Sequence, residues 1–354
     1  MDDTANTVRA GAAMPEGVRA ARWPSVFIVV LNWRDGEATL ACLAALAATT
    51  YPNFRVVVVD NASADGSADR IARLGTVDLL RNPTNLGFTG GVNVGIGHAM
   101  AQGADYIWLL NSDAVTRPDV LSRLVAVAES DSRIGLVSPV FHDAGAPHRA
   151  EFCLGRFDPA SRYATQTDRP EEALLWQRDY PDQVILVGTA LLVRRALVEA
   201  IGALDTRLFA YVEDVDFCLR STRAGFRNVA VPDAVVLHSF KRPVADPASC
   251  PPYLHYFMTR NYLLLWKTLP RPFLLRKAAL WFLRQRLVQI ERMAGDDQAV
   301  DAVLAGLWDG VRGIGGAYDP SRRIPLLLRR MLGRHPGVWI NLLDGKLPGR
   351  RRAA

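Results

Sequence analysis

The chain has 354 residues, 49% of them hydrophobic, enough for one large or two ordinary domains with a buried core. Its four cysteines (Cys42, Cys153, Cys218, Cys250) show no CxxC or Cys/His zinc spacing and read as free thiols of a reducing cytosol. No run reaches the ~18 apolar residues of a spanning helix, and residues 1–24 lack the apolar centre of a secretory signal, so they read as a flexible leader.

Charge is uneven. Residues 251–354 hold 18 Lys and Arg against 7 Asp and Glu, a formal +11, whereas the whole chain is +6. The acidic first part suits a cation site. The basic last part suits either an anionic surface such as phospholipid headgroups or an ordinary solvated face. Nucleic acid fits poorly, because the basic residues lie among Leu and Trp in helix-like runs without a binding motif.

In chain order, 26–31 is a buried strand and 37–48 a helix. The run 55–60 (RVVVVD) is a second strand, followed by a polar turn and a short helix through 74; 77–80 is a short strand. A Gly-rich turn opens a helix over 87–100, 106–110 (YIWLL) is a strand, and 118–129 is a helix with Pro in its first turn. Continuous apolar strands alternating with helices predict an α/β fold with a mostly parallel sheet and helices on both faces. Ligands of such sheets bind at the carboxyl ends of the strands, where Asp35, Asp60 and Asp113 fall. Further on, 184–193 is a strand interrupted at Gly188-Thr189, 214–224 is helical and 228–231 extended. Helices are expected at 253–268, 272–293, 298–311 and 324–332.

Several segments carry chemistry. Asn111-Ser112-Asp113 follows a strand, where a metal carboxylate belongs, although N-x-D alone more often marks a turn or cap. Asp60-Asn61-Ala62-Ser63 ends the second strand and reads both as a helix cap and as a nucleoside contact. Asn85, Gly87, Gly91 and Asn93 lie in a Gly-rich helix entry whose amides can approach an anion, yet it matches neither a Walker loop nor a dinucleotide fingerprint. Glu213, Asp214 and Asp216 cluster at a helix start. The dipole favours acids there, but neighbouring carboxylates also raise one another's proton affinity, as a general base needs. His238, after an apolar run, is by itself more often a satisfied strand-end residue than a metal ligand.

Taken in order, VFIVVLNW, VVVVDNASADGS, RNPTNLGFTGGVNVGI, YIWLLNSDA, VGTALLVRR, FAYVEDVDFCLR and VVLHSF resemble family 2 glycosyltransferases of the bacterial rhamnosyltransferase and galactofuranosyltransferase branch, over about residues 25–240. The resemblance implies a GT-A fold over 25–245, with a nucleotide-binding half (25–140) and an acceptor half (141–245), then a basic helical region (246–354). It implies that Asn32, Asp60, Asn61, Asn85, Gly87, Gly91, Asn93, Asn111 and Ser112 bind the nucleotide sugar. Asp113 and His238 would hold Mg2+ or Mn2+. Asp214 would be the catalytic base, with Glu213, Asp216, Gly188 and Thr189 orienting base or acceptor. Asn111 replaces the first acid of the family's Asp-x-Asp, so the cation leans on donor phosphates. The expected reaction is inverting transfer, with dTDP-rhamnose as the leading donor ahead of UDP- or GDP-sugars. The expected acceptor is a glycan, lipid-linked glycan or other glycoside of the cell envelope, met in the cytoplasm or at the inner face of the plasma membrane.

Two rivals remain. A nucleotidyltransferase would carry a basic Gly-rich loop after the first strand, where this chain has Asn32-Trp33-Arg34-Asp35-Gly36. A non-catalytic peripheral membrane scaffold would bind no nucleoside diphosphate. The C-terminal stretch 274–290, with Arg276, Lys277 and Arg284 on one side and Arg286 breaking the stripe, fits an interfacial helix, a core helix or a homodimer helix equally.

Overall fold

The computed structural model describes residues 23–238, 250–269 and 275–344. The leader expected over 1–24 therefore lies outside the described residues except for Trp23 and Pro24, as do Leu274 and the side chain of Arg276.

Four parallel strands build the first half: β1 (Val26–Asn32), β2 (Phe54–Asp60), β3 (Asp78–Arg81) and β4 (Tyr106–Asn111), in the order β3-β2-β1-β4. Their side chains alternate between faces. Phe27, Val29, Val57, Val59, Ile107 and Leu109 pack in one core with Val92 and Ile96. Val26, Ile28, Val30, Val58, Trp108 and Leu110 pack in the other with Leu43 and Leu46. Burial on both faces is why these strands read as unbroken apolar runs. The helices α1 (Gly36–Leu46), α2 (Ser67–Ala72) and α3 (Gly87–Ala101) supply the covering layers.

The second half is mixed. It contains β5 (Ala114–Thr116), α4 (Val120–Ser130), β6 (Ile134–Asp143), β7 (Ala146–Phe152), β8 (Leu154–Asp158), β9 (Tyr163–Thr167), α5 (Pro170–Asp179), β10 (Val184–Ile185), β11 (Ala190–Arg194), α6 (Arg195–Ile201), α7 (Glu213–Arg223) and β12 (Arg227–His238). The large sheet continues past β4 as β11-β6-β12-β5, with β7 added to β6. β11 runs antiparallel to both its neighbours, whereas β12 is parallel to β6. The sheet is thus wholly parallel in its first half and mixed in its second, and the strands and helices over 134–182 go beyond the elements expected there. The interrupted strand 184–193 resolves into two: β10 joins a small sheet of order β10-β8-β9, and β11 joins the large one. Gly188-Thr189 spans the gap between them.

Four helices follow: α8 (Pro252–Thr268), α9 (Leu275–Arg292), α10 (Asp297–Arg312) and, after the single turn α11 (Leu326–Leu328) and a π-turn, α12 (Pro336–Leu343). The helix expected over 324–332 is thus a short α turn running into a wider one. A Cβ on Gly306 would come 2.7 Å from the Tyr256 carbonyl, and one on Gly310 2.7 Å from the Leu263 side chain, so α8 and α10 touch almost backbone to backbone. Beyond a small cluster of Tyr256, Phe257, Ala302 and Ala305 between α8 and α10, these helices share the core of the rest of the chain. Tyr262, Leu265, Trp266, Phe282 and Val303 belong to the same apolar cluster as Leu154, Leu186 and Phe217. All four cysteines are buried.

Candidate active site

A cleft of about 1360 Å³ opens where the carboxyl ends of β1 and β4 meet α7, the small sheet and α8. On the strand side the polar groups are tied to one another. Asn32 ends β1 and is fully buried. Its amide donates to Asp60 Oδ1 at 2.7 Å, Ser67 Oγ at 2.8 Å and Ser63 Oγ at 3.2 Å, while its carbonyl accepts from Thr39 Oγ1 at 2.8 Å. Asp60 also accepts from the Ser63 amide at 3.2 Å. Expected as a nucleotide contact, Asn32 instead spends its hydrogen-bonding capacity on fixing Asp60 beneath the cleft floor.

Asn61 does the same for the Gly-rich entry. Its amide donates to Asn85 Oδ1 at 2.9 Å and the Gly87 carbonyl at 3.0 Å, and its own carbonyl accepts from Asn82 and Leu86, both at 3.1 Å. Gly87 has φ of +74°, and a Cβ there would sit 2.6 Å from the Phe209 ring. A Cβ on Gly91 would sit 2.5 Å from Leu31. These glycines let α3 lie flush against its neighbours. Asn93 turns elsewhere and exchanges two hydrogen bonds with the backbone of Leu204, at 2.8 and 3.1 Å. Of the residues expected on the nucleotide, Asn61, Asn85, Gly87 and Asn111 line the cleft; Asn32, Asp60, Gly91, Asn93 and Ser112 stand behind or beside it. Asp35 caps α1 through the Ala38 amide.

Asp113 and His238 are 125 positions apart in sequence, yet β5 pairs antiparallel with β12 so that Ala114 faces His238. His238 Nε2 lies 3.1 Å from Asp113 Oδ1; the imidazole is buried and the carboxylate half-exposed. A carboxylate and an imidazole suit a divalent cation, but among the described residues no group of three or more His, Cys, Asp or Glu could hold one. The donor set therefore fits a cation that takes its remaining ligands from a bound diphosphate, a usual arrangement for Mg2+.

The other wall carries the acids. The turn into α7 has three non-glycine residues at positive φ: Phe209 (63°), Tyr211 (67°) and Val212 (69°). Phe209, with ψ of −57° and an Ala210 amide bonded to the Leu208 carbonyl at 2.7 Å, is the rare, strained form of γ-turn. Val212, β-branched and left-handed, is the N-cap. Glu213 and Asp214 follow, both lining the cleft. Asp214 accepts from the amides of Val215 at 2.8 Å and Gly188 at 3.3 Å. Burial raises its pKa despite those amides. Burial, then the adjacent Asp214, raises that of Glu213, one of whose carboxyl oxygens is buried without a hydrogen-bond partner. Two such carboxyls side by side cannot both ionise cheaply. Asp216 does not join them. It binds Arg220 at 2.7 Å, and Arg220 donates to the carbonyls of Ile201 and Ala203, so Asp216 anchors α7 from behind.

Other groups complete the lining. Tyr163 and Gln166 come from the small sheet, Tyr253, Phe257 and Tyr262 from α8, and Trp33 from the loop after β1. Thr189 lines the cleft beside Gly188, and its carbonyl accepts from the Asn111 amide at 2.8 Å.

A family model described as "Glycosyltransferase like family 2" matches residues 24–248. A galactofuranosyltransferase of Mycobacterium tuberculosis is 33% identical over 232 residues, covering 64% of this chain and 74% of that protein. An N-acetylglucosaminyl-diphospho-decaprenol L-rhamnosyltransferase of the same organism is 30% identical over 253 residues, 63% of this chain and 78% of its own. A dTDP-rhamnosyl transferase of Shigella flexneri is 24% identical over 278 residues, 75% and 90% respectively. Among solved structures, a mannosyltransferase from Pyrobaculum calidifontis in complex with GDP-Man and Mn2+ superposes with a TM-score of 0.55 at 16% identity, over 92% of this chain and 85% of that one. That likeness fixes the fold, a GT-A arrangement of the two sheets. With a family model covering well over half its length, this chain belongs to glycosyltransferase family 2 and is a glycosyltransferase.

Proposed function

We propose that the enzyme is an inverting transferase that moves a hexose, rhamnose from dTDP-rhamnose first among donors, to a hydroxyl of a lipid-linked glycan. The observation that carries this reading is one cleft with two chemically distinct walls: polar strand ends fixed by Asn32 and Asn61, and a buried carboxyl pair facing them. Asp214, its proton affinity raised by burial, takes the proton of the acceptor hydroxyl. That oxygen attacks the anomeric carbon from the face opposite the diphosphate. The bond to the diphosphate oxygen breaks, and the electron pair leaves with the nucleotide. Glu213 keeps a proton when Asp214 is ionised. Asp113 and His238 would hold Mg2+ or Mn2+, which supplies charge neutralisation to the departing diphosphate. The relatives' names support rhamnosyl or galactofuranosyl donors and a diphospho-lipid acceptor.

A thermal-shift screen of dTDP, UDP and GDP with and without Mn2+ tests the donor. Stabilisation by dTDP alone among them, larger with Mn2+, is the expected outcome; no response to any nucleotide points to the scaffold reading. Pyrophosphate release from a triphosphate and a sugar phosphate points to a nucleotidyltransferase.

The basic C-terminal region is read as a contact for an anionic membrane surface. None of the described helices is long and apolar enough to cross a membrane. Leu326, Leu327, Arg330, Met331 and Arg334 all lie exposed, and Lys277, Leu280 and Trp281 are exposed on α9. Apolar side chains flanked by Arg suit the headgroup boundary. Flotation with anionic vesicles but not neutral ones is expected, and Leu326→Glu with Leu327→Glu should abolish it.

A further inference from the structure

Three non-glycine residues at positive φ within four positions are costly and persist only where surroundings over-determine them. The strain lies directly before Glu213 and Asp214. What holds it comes from α8, 50 residues downstream. Arg260 and Asn261 are both fully buried. The Asn261 amide donates to three carbonyls of the turn, Leu208 at 3.0 Å, Ala210 at 2.7 Å and Tyr211 at 2.7 Å. Arg260 Nη2 donates to Leu208 O at 2.7 Å, its Nη1 to Gly316 O, and its Nε to Asn261 Oδ1 at 2.8 Å, which fixes which way the amide points. Its charge is buried between the rings of Tyr256 and Phe257, each 5.0 Å away. The Tyr256 hydroxyl donates to Asp309 at 2.8 Å, and Asp309 is paired with Arg322 at 2.7 Å. On the opposite side the Thr89 amide, in the first turn of α3, donates to Phe209 O at 3.1 Å, and the Phe209 ring stacks on Phe257.

We propose that Arg260 and Asn261 are positioning residues for catalysis: they hold the strained 208–212 turn in one conformation and so set where Glu213 and Asp214 stand in the cleft. Neither touches the reacting atoms. A backbone free to relax to negative φ would re-aim the first turn of α7 and let water reach the carboxyl pair. The same turn touches α3 through Thr89 and Gly87, so it links the base to the helix entry that contains Asn85. The inference rests on the reading of Asp214 as base.

The test uses the full chain, with dTDP-rhamnose and a short-chain prenyl diphosphate-linked N-acetylglucosamine as probes, and dTDP binding followed by calorimetry. Asn261→Asp is isosteric but has no amide N–H and sets a carboxylate against three carbonyls; Asn261→Ala simply removes the donors. Both are expected to lower kcat by about 100-fold, as a displacement near 1 Å does, with dTDP affinity changed by less than about threefold. The acid limb of the kcat profile should move to lower pH as the carboxyl pair gains water. Hydrogen exchange should quicken at the amides of 209–216. Leu264→Ala, a buried α8 change outside the network, should lower Tm and leave kcat and the pH limb in place. Arg260→Lys should recover part of the rate by supplying one donor to Leu208 O.

Normal kcat and an unmoved acid limb in folded Asn261→Asp would overturn the proposal. So would a kcat loss in Leu264→Ala matching that of Asn261→Ala at equal Tm. Asp214→Asn run alongside separates the two readings: if it turns over normally, the base assignment fails; if it is inactive while the Asn261 variants are normal, only the positioning role fails.

Discussion

The two walls of the cleft solve opposite problems. On the strand side every buried amide and carboxylate of Asn32, Asp60 and Asn61 has its partners within 2.7–3.2 Å, and positive φ is confined to single residues of the following loops, Arg34 (55°) and Ala62 (62°). On the α7 side a buried Glu213, with one oxygen lacking a hydrogen-bond partner, lies next to a half-buried Asp214, behind three residues in disfavoured conformations. A fully satisfied network is rigid and electrically quiet, which suits a nucleotide that must bind and leave unchanged. An under-satisfied carboxyl pair has the raised proton affinity that proton abstraction near neutral pH needs. Stability and reactivity are thus assigned to different walls, and each can be perturbed separately.

The largest expected effect is on the reactive wall alone. Asp214→Asn should reduce transfer by about 10³-fold, within the range for a lost general base, while dTDP affinity in calorimetry stays unchanged. Turnover near normal would erase the contrast between the walls. Next, Asp113→Ala should weaken nucleotide binding by about tenfold in the presence of Mn2+, in keeping with one charge-assisted contact, and have no effect in EDTA; equal affinity in both conditions would remove Asp113 from the cation. On the quiet wall, Asn32→Ala removes the closest donor to Asp60 and one acceptor of the Thr39 hydroxyl and should cost roughly 1–3 kcal/mol, read as a lower Tm with weaker nucleotide binding. A loss of turnover with unchanged Tm would show that Asn32 acts in the chemistry instead.

The smallest effect sharpens the electrostatics. A carboxyl whose folded-state pKa is raised favours the folded state below its unfolded pKa, and that contribution is lost as pH rises through the folded value. Glu213→Gln removes the penalty of ionising in place, so its Tm should exceed that of the parent by a few degrees at pH 9 and converge with it near pH 4. A constant difference across that range would mean Glu213 is not the strained member.

The strands β1, β2 and β4 were legible because burial on both faces leaves an unbroken apolar run, and Asp60 and Asp113 because such runs end in acids. The span 134–182 was not. β7 is largely exposed and polar, while β8, β9 and β10 are too short to show a period. The Glu213-Asp214 pair could be read locally, but not that Asp216 faces away, since that depends on where Arg220 finds carbonyls. His238 reached Asp113 only through resemblance, because a contact spanning 125 residues depends on strand pairing. Arg260 and Asn261 carry no local signal of a positioning role, because the carbonyls they bind lie about 50 residues upstream in sequence.

The flush seat of α3 has a consequence for how the family can diversify. A methyl group on Gly95 would meet Val29 at 2.3 Å and one on Gly91 would meet Leu31 at 2.5 Å. The helix that carries the nucleotide entry is therefore closed to side-chain growth on its inner face. If the cleft takes the donor as proposed, changes of donor fall to the groups around that helix, Trp33 and Asn85 in loops and Tyr163 on β9 of the small sheet, so altered specificity can evolve there without disturbing the large sheet.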